Sequence, residues 1–236
     1  MTLRLLAVIF DAAGTLIAPA EPVGETYSRL AREHGVALAS ARIEDAFRRV
    51  FAAAPANVHP GEALARAAEL ERAWWCARVR ETFLAADGTA RFRDFDAYFA
   101  ALWQHFARGA AWRARLGAHE ALAALAASGR RLALLSNFDQ RLRPILSELG
   151  LHDHFECVVL PADCGAAKPD RAIFDFCLKR LGLAARHCVY VGDHARLDVE
   201  ASQEAGLAAI DVSELATLAD LPARIEALER GTSGQP

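Results

Sequence analysis

The sequence predicts an α/β fold: a doubly wound parallel sheet with an all-helical domain inserted after its first strand. Three observations carry the prediction. A near-continuous apolar run from Leu3 to Phe10 stops at Asp11, and a strand covered on both faces reads this way. From about Pro22 to Trp112 apolar residues recur three and four apart, and nothing there reads as a strand. From Arg113 onward short apolar runs alternate with helical segments, the order of a parallel sheet with helices on both faces. The core is therefore expected over 1–17 and 113–230, the helical domain over 18–112, and a flexible tail over 231–236.

Each element has its own signal. Gly14 and Thr15 break the first strand. The helical stretch divides into ETYSRLAREHG, closed by Gly35; ARIEDAFRRVFAAA, closed by Pro55; GEALARAAELERAWWCARVRETFLAADG, closed by Gly88; and DFDAYFAALWQHFARG, closed by Gly109. Glycine and proline are ordinary helix stop signals. Beyond them a helix around 118–128 leads to the strand RLALLS, which ends at Ser136. A helix near 140–149 leads to the short strand CVVL, and one over 170–182 to HCVYVGD, ending at Asp193. A helix near 198–205 then precedes AAIDV, a last helix closes the chain, and the polar GTSGQP reads as frayed.

Composition bounds the function. The chain has 236 residues, 53% hydrophobic and 24% charged, with a net charge of -3. That is enough to bury a core, and it disfavours a disordered chain. A pI near 6.2 argues against nucleic acid as a partner. No apolar stretch reaches the roughly 18 residues of a membrane span, and the short apolar start without a cleavage site reads as a strand. Five cysteines without a CxxC pair suggest reduced thiols in a cytoplasmic protein. Of 27 basic residues only Lys168 and Lys179 are lysines.

Four polar signals fall at strand ends, where ligands bind in such sheets: Asp11 with Gly14-Thr15, Ser136-Asn137, Lys168-Pro169-Asp170, and Gly192-Asp193 followed by Asp198. Singly each has a bland reading: a helix N-cap for an aspartate, a turn for Ser136-Asn137, a solvated loop lysine. Together they are a much stronger signal. The segments FDAAGTL, LLSNFD, AAKPD and VGDHARLD, in this order, make the chain resemble the haloacid dehalogenase superfamily of hydrolases over nearly its whole length. Trp74-Trp75, the SNFDQRL stretch and the GDxxxxD spacing point to one subgroup within it. The resemblance implies a Rossmann-like core, a helical cap domain, an aspartate nucleophile, a Mg2+ ion and usually phosphate ester hydrolysis.

The residue types suit that chemistry. Asp11 would attack phosphorus and split one displacement into two. Lys168, the Ser136 hydroxyl, the Asn137 group, Thr15 and the backbone amides near Ala12 and Ala13 would meet the phosphoryl oxygens. Asp11, Asp193 and the backbone carbonyl that the resemblance assigns to Ala13 suit a hard octahedral cation such as Mg2+. Asp198 would orient Lys168 or a metal-bound water.

One position departs from the family pattern. The first motif commonly reads Asp-x-Asp, the second Asp protonating the leaving group and then activating water; here it is Ala13. Such acid-base catalysis is worth about 100- to 10,000-fold, roughly 3 to 5 kcal/mol. Four readings follow. The first is a phosphohydrolase for good leaving groups, such as acyl or aryl phosphates, with His194 a possible substitute base. Phosphonoacetaldehyde cleavage, the second, requires a cap lysine, and none occurs from Ile17 to Trp112. The third, 2-haloacid dehalogenation, fits poorly with Asp193, which those enzymes as a rule lack. The fourth is a Mg2+- and phosphate-binding module without turnover. The expected partner is a small phosphorylated metabolite, with no nucleic acid and no membrane, on a monomer or homodimer. In the helical domain Tyr27 and Asn57-Val58-His59 are candidates to face the cleft; Trp74 and Trp75 read as its core, and Arg29 and Arg32 as a solvated face.

Overall fold

In the computed structural model residues 4–231 are described. Strand β1, Ala7–Phe10, is wholly buried. A short β2, Ile17–Pro19, pairs antiparallel with β3, Trp112–Ala114, and four helices stand between them. These are α1 Val23–Glu33, α2 Ser40–Ala53, α3 Leu64–Ala86 and α4 Phe95–Phe106. The core continues with α5 Ala118–Ala127, β4 Arg131–Leu135, α6 Leu142–Glu148, β5 Cys157–Val159, α7 Pro161–Cys164 and α8 Arg171–Leu181. It closes with β6 Cys188–Gly192, α9 Ala201–Glu204, β7 Ala208–Asp211 and α10 Leu221–Gly231. The main sheet is parallel throughout, in the order β5-β4-β1-β6-β7.

Strand alternation sorts the core into two layers. Val8 and Phe10 face Leu122 and Leu125 of α5 and Ile225 of α10, whereas Ala7 and Ile9 face Ile173, Phe174 and Cys177 of α8. The insert has its own core, in which Tyr98 meets the Phe83 and Phe92 rings at 5.4 and 4.6 Å. Ring pairs at these separations add to area burial.

Three features differ from the sequence expectation. The first strand begins at Ala7, although the apolar run starts at Leu3, which lies outside the described residues. The β2–β3 pair that frames the insert was not expected, because three residues each, one of them Pro19, leave no periodicity to read. The helix expected near 198–205 is a π-helical turn, Ala195–Glu200, followed by α9; such turns are rare and often mark functional sites. Of the tail expected over 231–236, only Gly231 lies within the described residues. All five cysteines are unpaired, and no helix among the described residues is long and apolar enough to cross a membrane.

The insert meets the core at the loop after β4. Trp75 of α3 donates its indole N–H to Asp139 Oδ2 at 2.7 Å, and the Gln140 backbone amide donates to Glu71 Oε2 at 3.3 Å.

Candidate active site

The sheet register brings the polar loops together. Phe10 pairs with Leu134 on one side and Val191 on the other, so the chain leaves β1, β4 and β6 side by side at their carboxyl ends. The Asp11 amide continues the ladder to the Val191 carbonyl at 2.9 Å.

Lys168 is the hub. It is 5% exposed, and its ammonium reaches Asp11 Oδ1 at 2.7 Å, Asp198 Oδ1 at 2.5 Å and the Tyr190 hydroxyl at 2.9 Å. An ammonium has three donors, so every proton is directed. Burial alone would lower the Lys168 pKa, but Asp11 and Asp198 outweigh it and hold the ammonium above its ordinary value. Burial lifts the Asp11 carboxyl above its usual range, with Lys168 pulling the other way. The Tyr190 hydroxyl donates to the Leu135 carbonyl at 2.9 Å. Burial and then the two carboxylates keep that phenol neutral, far above its ordinary pKa.

Other expected residues have structural partners. Asn137 accepts from the Lys168 backbone amide at 2.7 Å and donates to the Lys168 carbonyl at 2.9 Å. Expected as a phosphate donor, it clamps the lysine's backbone in this structure. Thr15 donates to Asp193 Oδ1 at 2.8 Å and so fixes that carboxylate. Asp198 is 1% exposed; its Oδ2 accepts the Asp193 and His194 amides at 3.1 and 3.0 Å, which pins the loop after β6. Two glycines permit this closeness: a Cβ on Gly14 would overlap the Asp193 carboxylate, and one on Gly192 would overlap Asp198. Gly14 also has φ +95°, a conformation that favours glycine.

Ser136 is buried, and its Oγ accepts the Phe138 amide at 3.4 Å, which leaves the hydroxyl proton to donate. Ala12 is buried and Ala13 exposed beside Asp11, and the Ala12 amide bonds the Asp11 carboxylate. His194 spends Nδ1 on the Leu197 amide at 3.2 Å, capping the π-helical turn.

Carboxylate oxygens of Asp11, Asp193 and Asp198 lie within 4.8 Å of one another. Lys168 and the two loop amides engage both oxygens of Asp198, whereas the second oxygens of Asp11 and Asp193 accept no side-chain hydrogen bond among the described residues. Asp193 is exposed at the rim. Three carboxylates against one ammonium leave an excess of negative charge, and an all-oxygen donor set suits Mg2+. The cluster of Asp11, Asp193 and Asp198 offers oxygen donors that fit that ion.

Sequence reasoning missed Tyr190 and Arg115. The only trace of Tyr190 was a polar-tipped ring in an otherwise aliphatic buried strand. Arg115 donates to the Gly14 carbonyl at 2.5 Å and steadies the turn after β1. In the insert, Trp74 donates to the Pro55 carbonyl at 3.1 Å, while Trp75, expected as core, bridges to the loop after β4. His59 bonds its neighbour Asn57 at 3.0 Å, and Arg29 pairs with Glu21 at 2.8 Å; Tyr27 is buried.

The carboxylate and lysine cluster thus stands at the carboxyl ends of the strands of a doubly wound parallel sheet. Residues 5–206 match the family model for haloacid dehalogenase-like hydrolase, and the chain belongs to that family. It is similar to haloacid dehalogenase-like hydrolase domain-containing protein 3 of Mus musculus, 34% identical over 205 residues, 87% of this chain and 80% of the relative. Two solved structures share the fold. One is a HAD phosphatase from Thermococcus onnurineus, with TM-score 0.61, 20% identity and coverage of 94% of this chain and 98% of that one. The other is the putative HAD-hydrolase YfnB from Bacillus subtilis bound to magnesium, with TM-score 0.64, 16% identity and coverage of 91% and 92%.

Proposed function

We propose that the chain is a Mg2+-dependent phosphohydrolase with Asp11 as nucleophile, acting on small phosphorylated metabolites whose leaving group departs without a proton. The observation that carries this reading is the Lys168 ammonium held 2.7 Å from Asp11 Oδ1 inside a buried cluster. A fixed cation beside a carboxylate can neutralise a phosphoryl group without reorganising during reaction. Asp11, through its second oxygen, attacks phosphorus; the Ser136 hydroxyl and the amides near Ala13 donate to the phosphoryl oxygens. Asp11, Asp193 and the Ala13 carbonyl would hold Mg2+, which supplies charge neutralisation when bound. Asp198 and Asn137 keep Lys168 in place, and Thr15 keeps Asp193 in place. The helical insert would serve as a cap over the strand ends. Five unpaired thiols fit a cytoplasmic setting.

Ala13 supplies no acid for the leaving group and no base for water, so turnover should be slow and selective. The same absence favours a second reading, a Mg2+- and phosphate-binding module without turnover. Acetyl phosphate and p-nitrophenyl phosphate hydrolysis, with Mg2+ and with EDTA, separates the two. Mg2+-dependent turnover, lost in Asp11→Asn, supports the phosphohydrolase. Thermal stabilisation by phosphate and Mg2+ with no turnover, and no phosphorylated protein by intact mass, supports the module.

A further inference from the structure

The Lys168 ammonium has three protons and three acceptors: Asp11 Oδ1 at 2.7 Å, Asp198 Oδ1 at 2.5 Å and the Tyr190 hydroxyl at 2.9 Å. No fourth donor exists. The ammonium can therefore give a proton to an incoming anion only by letting one of these acceptors go. Which one yields depends on how firmly each is held.

Two of the three are carboxylates, and hydrogen bonds between ions are about twice as strong as neutral ones. Asp198 is also immobile: it is 1% exposed, and its Oδ2 takes the Asp193 and His194 amides at 3.1 and 3.0 Å. Asp11 is fixed by its backbone amide, which continues the ladder to the Val191 carbonyl. Tyr190 is the neutral partner and stands at the longest of the three distances. It also stays hydrogen-bonded when Lys168 leaves, because its own proton goes to the Leu135 carbonyl at 2.9 Å, with Asp198 Oδ1 at 3.3 Å as a second acceptor. Its side chain is wholly buried on β6, with the Phe174 ring 5.5 Å away.

We infer that Tyr190 is a positioning residue that holds the third ammonium proton of Lys168 and surrenders it to a phosphoryl oxygen when a substrate arrives. The inference rests on the phosphohydrolase reading above and adds the partner that Lys168 exchanges. An undirected proton on a buried ammonium is costly, so the hydroxyl keeps the cation oriented between turnovers. The same hydroxyl competes with the substrate for that proton. Removing it should therefore tighten phosphate binding, whereas damage to a merely structural residue should weaken it. A neutral hydrogen bond is worth roughly two- to tenfold in an equilibrium.

Tyr190→Phe removes the hydroxyl and keeps the ring, whose centroid lies 5.4 Å from the ammonium. Titration calorimetry of inorganic phosphate with Mg2+ present should give about fivefold tighter binding than in wild type. The KM for acetyl phosphate should fall by the same factor, since KM reports affinity when chemistry is slow, and kcat should not rise. Phe174→Leu loosens the packing around the Tyr190 ring without removing a polar group, and it should bind phosphate no more tightly than wild type. The chain has only two lysines, and Lys179 is exposed. Wild type labelled with 15N-lysine should therefore show one slowly exchanging ammonium signal, that of Lys168. Its protons should exchange with water faster in Tyr190→Phe, and phosphate should slow them again. Should Tyr190→Phe not fold, wild type labelled at tyrosine 13Cζ decides: phosphate should move one of the three tyrosine signals, and no movement overturns the inference. Equal or weaker phosphate binding in Tyr190→Phe, or tighter binding in Phe174→Leu as well, also overturns it. If wild type still turns over in that event, the phosphohydrolase reading stands without Tyr190. If wild type binds phosphate without turnover and Tyr190→Phe binds it more tightly, the inference stands and hydrolysis does not. Neither binding nor turnover in wild type overturns both.

Discussion

The Trp75 indole nitrogen and Asp139 Oδ2 lie 2.7 Å apart across the boundary between the helical insert and the core. Asp139 is 3% exposed and also accepts two bonds from the Arg141 guanidinium, at 2.8 and 2.6 Å, and one from the Arg141 backbone amide at 3.0 Å. The loop that carries Ser136 and Asn137 is thus tied to α3 by a charge-matched, largely buried network. Trp75→Phe keeps the ring and removes one hydrogen bond, so it should cost about 1 kcal/mol in urea unfolding. Asp139→Ala leaves Arg141 without its carboxylate and Trp75 without its acceptor, and it should cost about 3 kcal/mol. Equal losses in the two variants would show that the ion pair contributes nothing beyond the indole bond.

Glu71 gives a pH-dependent prediction at the same junction. Burial, with Asp139 next, raises its pKa above the ordinary carboxyl value of 4.5. A raised folded-state pKa means that the folded protein binds the proton more tightly than the unfolded chain. Glu71 therefore favours folding most below the unfolded pKa, and that contribution is lost as pH rises through the folded pKa. Glu71→Gln removes the titration and retains an acceptor for Gln140. Its melting temperature should equal or exceed that of wild type at pH 7, and the advantage should shrink toward pH 4. A variant less stable than wild type at pH 7 would show that the Glu71 charge is stabilising where it stands.

Lys168 has the same sign in a much higher pH range. Its raised pKa gives a contribution present below the unfolded value of 10.5 and lost only as pH climbs through the folded one. Lys168→Met leaves Asp11 and Asp198 buried with no cation between them, an arrangement that costs about 3 kcal/mol or more at neutral pH. Burial already lifts the Asp11 carboxyl above its usual range, and protonating it relieves the cost, so Lys168→Met should gain stability relative to wild type as pH falls from 7 toward 4. Thermal melts across that range check the sign, and any Mg2+-dependent phosphatase turnover should vanish in the same protein.

Gly14 tests how closely the turn after β1 approaches the loop after β6. Gly14→Ala places a methyl group on the Asp193 carboxylate and forces alanine into φ +95°. Strain of this kind costs on the order of 1–3 kcal/mol, and the carboxylate must move. If the proposed Mg2+ site is correct, we expect a lower melting temperature together with loss of stabilisation by Mg2+. Gly61→Ala, at φ +80° with open space around it, is the control: it carries the backbone strain and should leave Mg2+ stabilisation intact.

The residues that announced the site are those at strand ends, and the reason is physical. Buried parallel strands are apolar throughout, so Asp11, Ser136 and Asp193 stand out as abrupt polar stops. The four helices of the insert were readable because their apolar residues follow a helical period. What could not be read are relationships between distant positions. Asn137 as a clamp on Lys168, Thr15 on Asp193, and Tyr190 between Lys168 and Leu135 join residues 31, 178 and 22 or 55 positions apart. A polar residue at a strand end signals a site, but its partner is fixed only by the sheet order. The short β2–β3 pair escaped for a different reason, since Ile17–Pro19 is too brief to carry a period.

Ala13 is the position where one side chain separates the chain from the family pattern, and restoring it gives the sharpest test. The alanine is exposed beside Asp11, so a carboxylate can be introduced without burying charge. Its backbone carbonyl, the part assigned to the metal, is the same in either residue. Ala13→Asp should therefore leave Mg2+ stabilisation nearly unchanged while supplying a proton donor for the leaving group and a base for water. General acid-base catalysis contributes about 100- to 10,000-fold, and the gain should fall unevenly. Alkyl phosphates, whose alkoxide cannot leave unprotonated, should gain most; p-nitrophenyl phosphate should gain less, through the second step alone. A uniform gain on both substrates would mean that hydrolysis of the aspartyl-phosphate limits both reactions. No gain on either, with Mg2+ stabilisation intact, would mean that Asp11 is not positioned to attack, and the binding-module reading would then account for the site.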